Sequence, residues 1–108
     1  MATQSDELKV ELLPSKKFIK DLDAFKKSAI LKQKIAKTLA LIAADIRHPG
    51  LNLERIVNDK TAWSIRVDRS YRISLEPLNQ DNKENVDWGA GVLLLRILNH
   101  DDLYKSPH

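Results

Sequence analysis

Five side chains have the types that phosphate chemistry needs: Arg66, Arg72, Arg96, His100 and Tyr104. Cleaving RNA without a metal makes three demands. The 2′-hydroxyl must lose its proton, the charge on the phosphorane must be stabilised, and the leaving oxygen must gain a proton. Guanidiniums can meet the second demand, and a His or a Tyr can move the protons. Arg72, His100 and Tyr104 are therefore the candidate catalytic residues. Arg66, Arg72 and Arg96 are the candidate phosphate-binding residues. The plain alternative is a solvated sheet face, with Tyr104 packing or capping the chain.

The stretch Trp63–Leu75, WSIRVDRSYRISL, must position this set. Trp63, Ile65 and Val67 alternate with Ser64 and Arg66, and Tyr71, Ile73 and Leu75 alternate with Arg72 and Ser74. That is the period of two half-buried strands. A three-residue loop, Asp68-Arg69-Ser70, pairs Val67 with Tyr71, Arg66 with Arg72, Ile65 with Ile73 and Trp63 with Leu75. A two-residue loop would put Val67 opposite Arg72 and flip one strand's faces. Loops of three favour glycine in a left-handed position, and none is present. Two arginines then face each other, which is destabilising unless they part or share an anion. Paired guanidinium forks suit a phosphate.

The other elements frame this hairpin. Leu8–Leu13 alternates as a first strand, ended by Pro14, and Ser15 can cap the following helix. Phe18, Ile19, Leu22 and Phe25 lie at helical spacing. Ser28 can cap a second helix, whose stripe is Leu31, Ile35, Leu39, Ile42 and Ile46. His48-Pro49-Gly50 stops that helix, and Leu51–Val57 leads into the sheet through a turn at Asn58-Asp59-Lys60. Residues 78–90 form a polar loop in which Trp88 either caps the core or stays exposed. Val92–Leu98, VLLLRIL, is the most apolar strand and the central one. If Leu93, Leu95 and Ile97 face the helices, Arg96 shares the arginine face with Leu94 and Leu98. Asn99–Lys105 makes a short helical turn. The order predicts an α+β domain: two N-terminal helices packed on one face of a mostly antiparallel sheet of about four strands.

Composition sets outer limits. The 108 residues suffice for a single domain, 1–108, with a flexible N-terminus at 1–7 and the polar loop 78–90. No cysteine is present, so disulfides and thiolate metal sites are excluded, which favours an intracellular protein. The longest apolar run, Leu39–Ala44, is too short for a membrane span. A cytoplasmic protein without membrane contact is expected. Residues 1–47 carry ten basic against six acidic side chains, a balance of +4, and residues 48–108 carry eight against nine, a balance of −1. Such basicity permits nucleic-acid contact without demanding it. Glycine-rich phosphate loops, zincin motifs and nucleophile elbows are absent. His100, Asp101 and Asp102 lack metal-ligand spacing, so no metal or cofactor is expected.

Four segments in order, FIKDLDAFKK, HPGLNLERI, WSIRVDRSYRISL and LLLRILNHDDLY, resemble the RelE/ParE toxins of bacterial type II toxin–antitoxin systems. The likeness runs from about Lys9 to Tyr104. It implies two N-terminal helices on an antiparallel sheet and a cognate antitoxin as partner. In the RelE-like branch it implies a metal-independent, ribosome-dependent mRNA endonuclease that inhibits translation. In the ParE-like branch it implies a DNA gyrase poison without nuclease activity, and a non-toxic antitoxin-binding member is a further alternative. By position, Arg72 resembles the arginine at the scissile phosphate, and Arg66 one of two basic strand residues. Tyr104 resembles the C-terminal tyrosine, and His100 the histidine some members carry. Ser64 occupies the second basic position, which removes a charge there, and Asp101 and Asp102 add negative charge. Leu94 and Leu98 are the expected antitoxin contacts.

Overall fold

A strand, two helices, four more strands and a last short helix follow one another in the computed structural model of the chain, which describes residues 10–57, 59–79 and 86–108. They are β1 (Leu12–Pro14), α1 (Lys16–Ala24), α2 (Ala29–Ala44), β2 (Glu54–Arg55), β3 (Trp63–Arg66), β4 (Tyr71–Pro77), β5 (Val92–Asn99) and α3 (His100–Lys105). The sheet order is β1-β5-β4-β3-β2. Only the β1–β5 pair is parallel; the other three are antiparallel. The α+β architecture matches the sequence expectation, with five strands instead of about four.

Local chemistry starts the helices where the sequence indicates. The Ser15 and Ser28 hydroxyls accept the N–H groups of Phe18 and Leu31, each satisfying an otherwise orphaned donor. The α2 helix ends at Ala44, before the His48-Pro49-Gly50 signal. His48 instead caps a single 3₁₀ turn at Pro49–Leu51, its ring accepting the Gly50 N–H. The first strand is shorter than expected: β1 begins at Leu12, while Leu8 and Lys9 lie outside the described residues. Pro14 closes β1 without harm because this strand is at the sheet's edge. The Leu51–Val57 segment contributes only the two-residue β2. The 1–7 segment, Asn58 and residues 80–85 also lie outside the described residues.

The hairpin has the expected register: Trp63 opposite Leu75, Ile65 opposite Ile73 and Arg66 opposite Arg72. Val67 N–H donates to the Tyr71 carbonyl at 3.0 Å, closing the three-residue loop. No loop residue takes a left-handed conformation. The Asp68 carboxylate does the work instead, accepting N–H groups from Ser70 at 2.9 Å and Tyr71 at 2.8 Å. Burial pushes the Asp68 carboxyl up, but these donors and the Lys34 ammonium hold it below its ordinary value.

Both faces of the sheet are covered. Phe18 of α1 and Ile35 and Ile42 of α2 pack on Ile65, Ile73, Leu75, Val92, Leu94 and Ile97. Leu103 of α3 packs with Ile56, Ala62 and Leu95 in a second cluster, flanked by Leu93, Leu98 and Tyr104. Trp88 is 8% exposed and meets Trp63 edge-on at 5.2 Å, so it caps the core.

A bulge on β5 decides its faces. Ser74 pairs with Arg96 and Leu75 with Leu94, leaving Leu95 without an opposite number. One extra residue inverts the alternation. Val92 and Leu94 before it, and Ile97 after it, therefore all lie in the helix-side core. Strict alternation had placed Leu93 and Leu95 there and Leu94 on the opposite face; the bulge reverses all three.

Gly91, which leads into β5, has φ +105°. A Cβ there would lie 3.1 Å from the Glu11 carbonyl oxygen, which accepts the Val92 N–H at 2.9 Å. Gly91→Ala should cost about 1–3 kcal/mol, read as a lower urea midpoint with an unchanged slope.

Candidate nucleic-acid interface

Arg72 stands near the start of β4, on the face opposite α1 and α2. Among the described residues, its buried Nε and Nη1 have no hydrogen-bond partner. A guanidinium cannot shed its proton, so an unpaired buried one is costly and asks for an explanation.

Tyr104 reaches this face from α3. Its hydroxyl donates to Glu54 Oε1 at 2.8 Å and lies 2.9 Å from Ser64 Oγ. Since a phenol has one proton, the serine is the donor in the second bond. Burial raises the Tyr104 hydroxyl above its ordinary value. The Ser64 bond opposes this, the Glu54 carboxylate adds to it, and the Arg72 charge partly offsets it. The group thus holds its proton through neutral pH and can donate it. Neither Glu54 nor the role of Ser64 was visible in the sequence. Only the edge pairing of Glu54 with Ser64 brings the two together. Ser64 is fully buried, so it fits where a charged residue would lose its hydration.

His100 opens α3. Its ring packs on Tyr104 at a centroid distance of 4.7 Å, and Nδ1 lies 3.3 Å from Asp101 Oδ1. The Asp102 carboxylate instead accepts from Asn99 Nδ2 at 3.0 Å, so the two aspartates have separate partners. Beyond α3 the chain lies across the sheet. Ser74 Oγ donates to the Pro107 carbonyl at 2.6 Å, His108 Nε2 is 2.9 Å from Asp59 Oδ2, and Lys17 Nζ donates to the His108 carbonyl at 3.0 Å. The 106–108 segment therefore covers the arginine face at Ser74.

The expected arginine cluster divides into three. Arg72 stays beside Tyr104. Arg66, directly opposite in register, is exposed and lines a cleft toward α2. Arg96 is committed elsewhere. Its Nε and Nη2 donate to the Asp21 carboxylate at 2.7 and 3.0 Å, and the same carboxylate accepts the Ile97 N–H at 2.9 Å. That fork raises the Arg96 guanidinium above its ordinary value, against the pull of burial. Asp21 lies on the helix that crosses β5 where β1 has ended, so it satisfies an edge donor as well as a charge. The phosphate-binding role read for Arg96 fails because this bond uses its fork. The docking role read for Leu94 fails too: it is 2% exposed and sits under the helices. Leu98 is half-buried beside Leu103 and Tyr104.

No family model and no curated protein sequence matches the chain. Solved structures do. YafQ in the E. coli DinJ–YafQ toxin–antitoxin complex superposes with a TM-score of 0.63 at 12% identity, covering 88% of this chain and 97% of that one. The YoeB dimer from Staphylococcus aureus gives 0.56 at 17%, covering 85% and 98%. The RelB–RelE antitoxin–toxin complex from Methanococcus jannaschii gives 0.56 at 21%, covering 87% and 96%. At these identities the likeness is one of fold.

Proposed function

We propose, from the RelE/ParE-type toxin fold that this chain has, that it is the toxin of a type II toxin–antitoxin pair. It acts in the cytoplasm as a metal-independent, ribosome-dependent mRNA endonuclease. Arg72 carries the reading: a guanidinium with two buried nitrogens that lack partners among the described residues, beside a phenol that keeps its proton. His100 takes the 2′-hydroxyl proton as that oxygen bonds to phosphorus, the Arg72 cation stabilises the phosphorane, and Tyr104 gives its proton to the leaving oxygen as the second P–O bond breaks. A protein antitoxin is the partner, as in the solved complexes of similar fold, with Leu98 as a contact.

The deciding experiment is induced expression with mapping of RNA 5′ ends. New ends inside translated codons are expected. Growth arrest with intact mRNA and cleaved gyrase–DNA complexes would select the gyrase-poisoning alternative, and no arrest at all a non-toxic antitoxin-binding member. Tyr104→Phe should slow cleavage about tenfold to a hundredfold, measured as the rate at which those ends accumulate. The fold should lose only about 1 kcal/mol, because Glu54 is accessible to water once its partner is gone.

A further inference from the structure

We propose that the cleft between α2 and the β3–β4 hairpin is a second phosphate site, which takes the phosphodiester backbone of an RNA strand. This rests on the nuclease reading and extends it beyond Arg72. The cleft holds about 480 Å³ and is lined by Lys34, Lys37, His48 and Arg66 around a floor that includes Leu51. Lys34 and Lys37 are three residues apart and share one side of α2. Arg66 approaches from the end of β3.

The charges here are poorly compensated. Lys34 is 3.4 Å from the Asp68 carboxylate, an exposed pair of little strength. Among the described residues, no carboxylate lies within ion-pairing distance of Lys37 or Arg66. His48 adds a directed donor. Its Nδ1 accepts the Gly50 N–H at 3.0 Å, which leaves the proton of the neutral ring on Nε2. Two ammoniums, a guanidinium and an imidazole N–H thus line one recess, with Asp68 the one carboxylate held there. Donors without acceptors match phosphodiester oxygens, which only accept.

The hairpin joins this cleft to the first site. Arg66 and Arg72 are opposite partners in the β3–β4 register, and the Cα atoms of such cross-strand partners lie about 5 Å apart. A strand bound in the cleft through Arg66 is thereby led across the hairpin toward Arg72.

The test uses the full chain and a fluorescent 2′-O-methyl oligoribonucleotide, which lacks the attacking hydroxyl, titrated by polarisation at several salt concentrations. Lys37→Glu and Lys34→Glu should each weaken binding about tenfold and lower the log–log salt slope by about 0.7, the value for one lost phosphate contact on a single strand. Lys26→Glu, in the turn between α1 and α2, should change neither. Matching melting curves will show that the variants are folded. Unchanged affinity and slope in both cleft variants would overturn the site. So would a loss confined to duplex DNA, or displacement of the oligonucleotide by millimolar inorganic phosphate alone. Codon-internal cleavage in cells with no cleft dependence would overturn this inference and spare the nuclease reading. The reverse result would spare the cleft and overturn the nuclease.

Discussion

Arg72→Ala will lower cleavage by about two to three orders of magnitude and abolish growth arrest, while the protein stays folded or becomes slightly more stable. The activity loss follows from removing a preorganised cation from the developing phosphorane charge. The stability result is the more diagnostic half. Burying two guanidinium nitrogens without partners costs free energy, so their removal relieves a penalty. A structural arginine would behave the other way, since its loss would leave a bonded carboxylate stranded. Arg72→Lys should not restore the rate, because an ammonium cannot reproduce the fork. The checks are induction with growth curves and RNA 5′-end mapping, beside urea denaturation of the purified variants. If the alanine variant arrests growth like the parent, the phosphate role is finished.

Asp21→Ala will have the largest effect on stability, a loss of about 3 kcal/mol. The carboxylate accepts three hydrogen bonds, two from Arg96 and one from the Ile97 backbone, and the pair is mostly buried, at 13% and 22% side-chain exposure. Removing it strands a cation and an edge N–H together. Asp21→Asn should lose less, because an amide oxygen can still accept the Ile97 N–H. For a domain of this size the alanine variant should melt about 10–20 °C lower. A fall in the urea-derived stability of under about 1 kcal/mol would mean that α1 does not depend on this clasp.

These two arginines show how differently one residue type reads from sequence. Arg72 was legible because strand alternation and loop length together fix both its face and its partner, Arg66. Arg96 lies on the face that the same rule gives it, opposite Ser74, but alternation says nothing of what claims its fork. The bulge misplaces Leu93, Leu94 and Leu95 instead, because a single extra residue cannot be seen in a run as apolar as VLLLRIL. Asp21, the Arg96 counterion, lies 75 positions away on an amphipathic helix whose charged residues look alike until packing separates them. Tyr104 was singled out by type and place. Its partners Glu54 and Ser64 were not, because a two-residue edge strand leaves almost no periodic signal.

The sequence alone determined the helix starts at Ser15 and Ser28, the hairpin register and the α+β class. Those depend on local caps and on alternation within a few residues, where the chain has little choice. Tertiary structure alone decided which arginine is free. It turned β5 over at Leu95, clasped Arg96 to α1, laid the 106–108 segment across Ser74 and left Arg72 Nε and Nη1 without a partner among the described residues. These outcomes depend on contacts between residues far apart in the chain, where the energy of each charge is set by what surrounds it and not by its neighbours in sequence.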